Sequence, residues 1–143
     1  MTISNTTENA ILDLVFRATA WTDYAVTHTT TPQTTITFAL HTADPGETGT
    51  MATTEADYAS YARPTVPRST GFAAAVAGES FLAAALDFAA STGAGTTLTF
   101  FSTGHSGAAA QPILWSGGVS PSIAVGASGV IPRLTTATKC TLD

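Results

Sequence analysis

The run Phe38-Ala39-Leu40-His41-Thr42-Ala43-Asp44-Pro45-Gly46-Glu47-Thr48-Gly49 decides the fold. It opens as an alternating strand, with Ile36, Phe38 and Leu40 on one face, the period-two pattern of a half-buried strand. It then enters Asp44-Pro45-Gly46, the densest turn signal in the chain. The order is apolar alternation, a histidine, a small acidic loop and glycine. The first strand is expected over residues 34–42, and residues 43–62 read as a long loop carrying Asp44, Glu47, Glu55 and Asp57. Loops of that length are often functional.

Composition points the same way. The chain has 143 residues, 44% of them hydrophobic and only 10% charged. That charge is well below the roughly 25% of an ordinary soluble domain. Its 28 threonines supply hydration without ionic groups, and their β-branched side chains suit a pleated surface. The expectation is a mainly β chain: an antiparallel β-sandwich or jelly-roll-like barrel with one N-terminal helix. One domain over residues 1–143 is expected, with a helix and arm at 1–20, a connector at 21–35 and the sandwich at 36–143. A chain this long can bury roughly 70% of its unfolded surface without a metal or disulfide.

Outward from the opening run, residues 4–18 read as the helix. Ser4 or Thr6 can cap it, and Glu8 sits in the first turn, where the helix dipole favours an acid. Ile11, Leu14, Val15 and Ala18 form the expected apolar stripe, widened by Leu12 and Phe16. Trp21 and Tyr24 are large groups in a Thr-rich connector, either lidding the core or forming a contact surface. Tyr58 and Tyr61 close the long loop. Pro64 and Pro67 each remove a backbone donor, so residues 63–67 read as an extended edge segment. Residues 80–89 fit helix or strand and are assigned as a strand. Further strands are expected at 96–102, 112–116, 122–125, 129–133 and 138–142, separated by turns at 104–107 and at Gly117-Gly118.

Net charge is −5, with only Arg17, Arg63, Arg68, Arg133 and Lys139 as fixed cations. Direct nucleic-acid binding needs clustered cations and is not expected. Cys140 is the single cysteine, so no internal disulfide is possible. Met1–Asn5 has neither a basic region nor a long apolar run, so neither a signal peptide nor a membrane helix is expected. His28, His41 and His105 show no metal-ligand spacing. Asp44, Glu47, Glu55 and Asp57 lack the alternate-position pattern of a calcium loop. Gly104-His105-Ser106-Gly107 lacks the glycine placement and the helix of a hydrolase elbow. No catalytic residue, metal or cofactor is expected, and His41 reads as a hydrogen-bonding partner of the loop.

Several stretches together carry a resemblance. These are Glu8-Asn9-Ala10-Ile11-Leu12, Arg17-Ala18-Thr19-Ala20, the run Leu40–Gly49, Tyr61-Ala62-Arg63, Ile113-Leu114-Trp115-Ser116-Gly117 and Cys140-Thr141-Leu142-Asp143. In this order they resemble a family of small structural proteins of tailed bacteriophages, described as tail-fibre or minor capsid proteins. The resemblance implies a virion component without catalytic residues. The function expected from it is capsid decoration, a cement on the outer shell that bridges subunits of the major capsid protein. The alternative is a tail-fibre or tail-tip module that adsorbs to a host. The cement reading implies a place on the outer capsid surface after assembly in the bacterial cytoplasm, and self-association, with a homotrimer as one form. The candidate partner contacts are Ile3, Trp21, Tyr24, Glu47, Tyr58 and Arg63.

Overall fold

The computed structural model describes residues 4–21, 33–93, 95–105, 110–126 and 128–142. Among these the chain is mainly β, with antiparallel sheets and one short N-terminal helix. The elements are α1 (Asn5–Phe16), β1 (Thr35–His41), β2 (Thr65–Pro67), β3 (Glu79–Phe81), β4 (Leu86–Asp87), β5 (Thr97–Gly104), β6 (Trp115–Ala124), β7 (Arg133–Leu134) and β8 (Lys139–Thr141). They fall into two compact units. One gathers Met1–Thr35, Val66–Leu86 and Leu134–Asp143; the other gathers Ile36–Thr65 and Asp87–Arg133.

The first unit is built on α1. Ser4 caps it, its hydroxyl accepting from Thr7 N–H at 3.4 Å, and Glu8 lies in the first turn. The buried face differs from the expected stripe. Leu12 and Phe16 are fully buried and Glu8 nearly so, whereas Ile11, Leu14 and Val15 are only half-buried. The four-residue spacing of Glu8, Leu12 and Phe16 stacks them on one side of the helix. Phe16 packs on Phe72, with ring centroids 4.6 Å apart. The polar edge of the same helix holds a turn. Asn9 Oδ1 accepts from Gly78 N–H at 2.7 Å, and Asp13 Oδ1 accepts from Ala75 N–H at 2.9 Å. Gly78 has φ +73, and a Cβ there would lie 2.7 Å from the Glu8 carboxylate and 2.9 Å from the Leu142 carbonyl. Below the turn β3 pairs antiparallel with β8, placing Ser80 opposite Cys140, and Lys139 pairs with Glu79.

Arg68 closes the other end of the helix. Its guanidinium donates to the carbonyls of Val15, Leu14 and Gln33 at 2.5, 2.6 and 2.7 Å. Two of these are among the unpaired carbonyls of the last helical turn, where the dipole favours a cation. No carboxylate is needed for this role, so pairing rules alone could not have found it. Arg68→Ala should cost about 1–2 kcal/mol. It should lower the urea midpoint and reduce the helical circular dichroism signal. Arg68→Lys, which keeps the charge and loses the fork, should fall between.

The second unit is built on β1, every residue of which from Ile36 to His41 is buried. Both faces are therefore covered, beyond the single apolar face that Ile36, Phe38 and Leu40 predict. β1 pairs antiparallel with β5, setting Leu40 opposite Phe101 and His41 opposite Phe100. β5 pairs in turn with β6. Phe38 stacks on Phe101 at 6.3 Å.

Three sequence expectations are corrected. Residues 80–89 do not form one strand. β3 and β4 are separated by a bend at Ala83-Ala84, both exposed, where Ala83 N–H donates to the Gly71 carbonyl. The separate strands at 112–116 and 122–125 are one strand, β6, which runs through Gly117-Gly118 without turning. Gly117 is there for space, because a Cβ would lie 3.0 Å from the Phe101 ring. The last expected strands shrink to Arg133–Leu134 and Lys139–Thr141. The turn expected at 104–107 lies partly outside the described residues, and Gly104 belongs to β5.

Candidate functional site

The long loop of the second unit is held by its own residues. Asp44 Oδ1 accepts from Gly46 N–H at 2.9 Å, and Gly46 takes φ +70. Asp44 and Gly46 thus close the turn locally. The returning chain then lies alongside the end of β1. Ala56 N–H donates to the Leu40 carbonyl, Thr42 N–H donates to the Thr54 carbonyl, and the Thr54 hydroxyl donates to the Ala43 carbonyl at 2.9 Å.

His41 sits at the root of this arrangement with no exposed surface. Its Nδ1 lies 2.8 Å from the Thr53 carbonyl and its Nε2 lies 2.7 Å from Ser102 Oγ. A carbonyl only accepts, so Nδ1 carries the proton and Nε2 accepts from the Ser102 hydroxyl. The ring joins β1, β5 and the loop. Burial pulls its pKa below the usual value of 6.5 and outweighs the opposing bond to Thr53 and the nearby carboxylates of Glu55 and Asp44. Ser102 is itself fully buried.

Beside it, Arg63 forks onto Glu55 at 2.5 and 2.6 Å. Tyr61 accepts from Leu40 N–H at 3.1 Å, beside the same carboxylate. Burial, the largest influence, raises the Tyr61 pKa, and the bond to Glu55 raises that of Arg63. The stretches His41–Gly46 and Tyr61–Arg63, separate in sequence, thus share one braced network.

This network makes a pH dependence predictable. His41 is neutral when folded and titrates near 6.5 when exposed, so the unfolded chain binds the extra proton. Its contribution is complete above about pH 6.5 and is lost as pH falls from there through the lowered folded value. Urea midpoints measured between about pH 7.5 and 5 should decline toward acid for the natural chain. The slope attributable to this site should vanish in His41→Gln.

The six predicted contact residues are placed differently from one another. Ile3 and Tyr24 lie outside the described residues. Trp21 is half-buried in the first unit. Glu47 is exposed at the tip of the braced loop. Tyr58 is only 2% exposed and donates its hydroxyl to the Ala89 carbonyl at 2.9 Å, which makes it a core residue. Arg63 is half-buried and committed to Glu55. Among the described residues no three His, Cys, Asp or Glu side chains group as metal ligands, and no helix is long and apolar enough to cross a membrane. The surface that sequence reading passed over is β6. A signal for it existed, since residues 88–132 contain no Asp, Glu, Lys or Arg.

This braced network and low-charge β surface belong to a bacteriophage virion structural protein. A family model described as podophage GP4 fiber I protein gp80 matches residues 2–138, and the chain belongs to that family. No curated protein matches it.

Proposed function

We propose that this chain is a structural module of the phage fibre, working through protein contacts rather than through a reaction. The observation that carries the reading is the fibre-protein family match across residues 2–138. The buried chemistry supports it: His41, Tyr61, Glu55 and Arg63 brace a loop, and the Cys140 thiol is buried and pushed up to about 12. The sparse charge fits a chain that must bury surface against neighbours, because uncharged polar groups cost less to desolvate than ionic ones.

Capsid decoration is the second reading, favoured by the same low-charge, Thr-rich surface. A cement gains from many modest contacts repeated over the shell. Quantitative mass spectrometry of purified virions and of DNA-filled heads lacking tails separates the two. The fibre reading expects few copies per virion and none on tailless heads. A copy number matching the shell subunits, retained on tailless heads, would replace it with decoration. Absence from both particles would sink both.

A further inference from the structure

We propose that the outer edge of β6, centred on Ser116–Gly118, docks a second copy of this chain strand to strand. In the order β1–β5–β6, β6 stands last, and among the described residues no strand pairs with its outer side. An open edge presents unpaired backbone donors and acceptors and is a template for another strand. Monomeric proteins blunt such edges with charge, proline or bulges. β6 is blunted only in its second half, where Val119, Ser120, Pro121 and Ser122 stand against the single residue Thr99 of β5. The length Ser116–Gly118 is regular, paired with Ser102, Phe101 and Phe100, and free of proline and charge.

Burial carries the argument further. Phe101 to Gly104 of β5 are buried, yet none of the residues of β6 is. Its apolar residues Trp115, Val119 and Ile123 are only half-covered, with Trp115 opposite Thr103 on one face and Ile123 opposite Leu98 on the other. Leu114, just ahead of the strand, is 43% exposed. An uncharged stretch that carries aromatic and aliphatic groups matches the composition of an interface centre.

Charge selects the occupant. Residues 88–132 carry no Asp, Glu, Lys or Arg, whereas Asp44, Glu47 and Asp57 stand exposed elsewhere in the same unit. A polyanion would need cations that β6 lacks. A basic partner would be drawn to the acids rather than to this edge. Two copies of a −5 chain repel least where neither bears charge. Antiparallel β6-to-β6 pairing then presents the same surface from both sides, the requirement of a two-fold contact.

Sedimentation of the whole chain across the micromolar range tests this. The natural chain should self-associate, and S116K/G118K should weaken association by about tenfold or more, through like charges brought together. Both sites accept the change locally. Ser116 is exposed, and a Cβ on Gly118 meets nothing nearer than the Thr99 carbonyl at 4.0 Å. Ala52→Lys, on the exposed loop, should leave association intact. As a second measurement, Ser116→Cys should give a linked dimer with a short bis-maleimide, and the natural chain should not, because Cys140 is only 4% exposed. A natural chain that stays monomeric, association that survives S116K/G118K, or no link through Ser116→Cys each overturns the proposal. A monomer whose edge instead takes another virion protein or a glycan overturns it as well. The proposal rests on the structural reading above. A chain found on virions yet monomeric in solution would overturn the β6 assignment alone.

Discussion

Tyr58→Ala is expected to remove about 3–5 kcal/mol of stability, the range for truncating a fully buried aromatic. Tyr58 is the largest fully buried side chain among the described residues. Its ring meets Tyr61 edge-on at 5.2 Å, and Tyr61 stacks on Phe88 at 6.3 Å, so the three rings form one row through the second unit. Gly95 leans on the same group: a Cβ there would lie 2.7 Å from that of Tyr58. The close backbone approach leaves little freedom for the surroundings to collapse into the cavity, which places the expected loss toward the upper end. Tyr58→Phe separates packing from polarity. It keeps the row and removes only the donor to the Ala89 carbonyl, so it should cost about 1–2 kcal/mol. Urea midpoints of the two variants and the natural chain decide the matter. If Tyr58→Ala changes stability no more than Tyr58→Phe, the ring is not a core anchor.

Tyr58 also shows where sequence reading reaches its limit. A tyrosine in a polar loop carries no pattern that separates a contact from a core group, because periodicity reports only regular elements. The fold class was legible, since threonine content, the alternation at 36–40 and the Asp44-Pro45-Gly46 turn all favour strands. The helix was legible to within two residues at its end, and Ser4, one of two candidate caps with Thr6, marks its start with Glu8 in the first turn. Its buried side was not. Ile11, Leu14 and Val15 make a convincing stripe, but which part of a wide apolar arc faces inward depends on what packs on it. Gly117 and Gly118 read as punctuation, whereas one is a packing accommodation to Phe101, a residue distant in sequence. In the candidate site, the place of His41 between strand and turn predicts a hydrogen bond to the loop, and its Nδ1 meets the Thr53 carbonyl. The joining of Leu40–Gly46 to Tyr61–Arg63 required the returning chain to lie beside β1, a tertiary fact with no local signal. The uncharged run at 88–132 is a sequence signal for the low charge of β6.

Phe16→Ala is expected to cost about 3–5 kcal/mol in the first unit. Phe16 is fully buried in the last turn of α1, against Phe72, next to the carbonyls of Leu14 and Val15 that Arg68 holds. An isolated helix of this length is marginal in water, so α1 depends on its buried face for its existence. Removing the ring forfeits the Phe72 contact and loosens the turn on which the Arg68 fork closes. Ile11→Ala is the discriminating comparison. Ile11 belongs to the stripe that sequence periodicity favours, yet it is only half-buried. Its truncation should cost about 1 kcal/mol, in proportion to the smaller apolar area withdrawn from water. The two variants change side chains on the same helix to the same residue, so helix propensity contributes little to the difference. Denaturant titration followed by helical circular dichroism should put Phe16→Ala well below Ile11→Ala. A total of 5–15 kcal/mol is ordinary for a domain, so the larger loss would leave the first unit near its unfolding threshold. Equal losses would mean that the helix buries the Ile11–Val15 side, and the packing of α1 through Leu12 and Phe16 would be wrong.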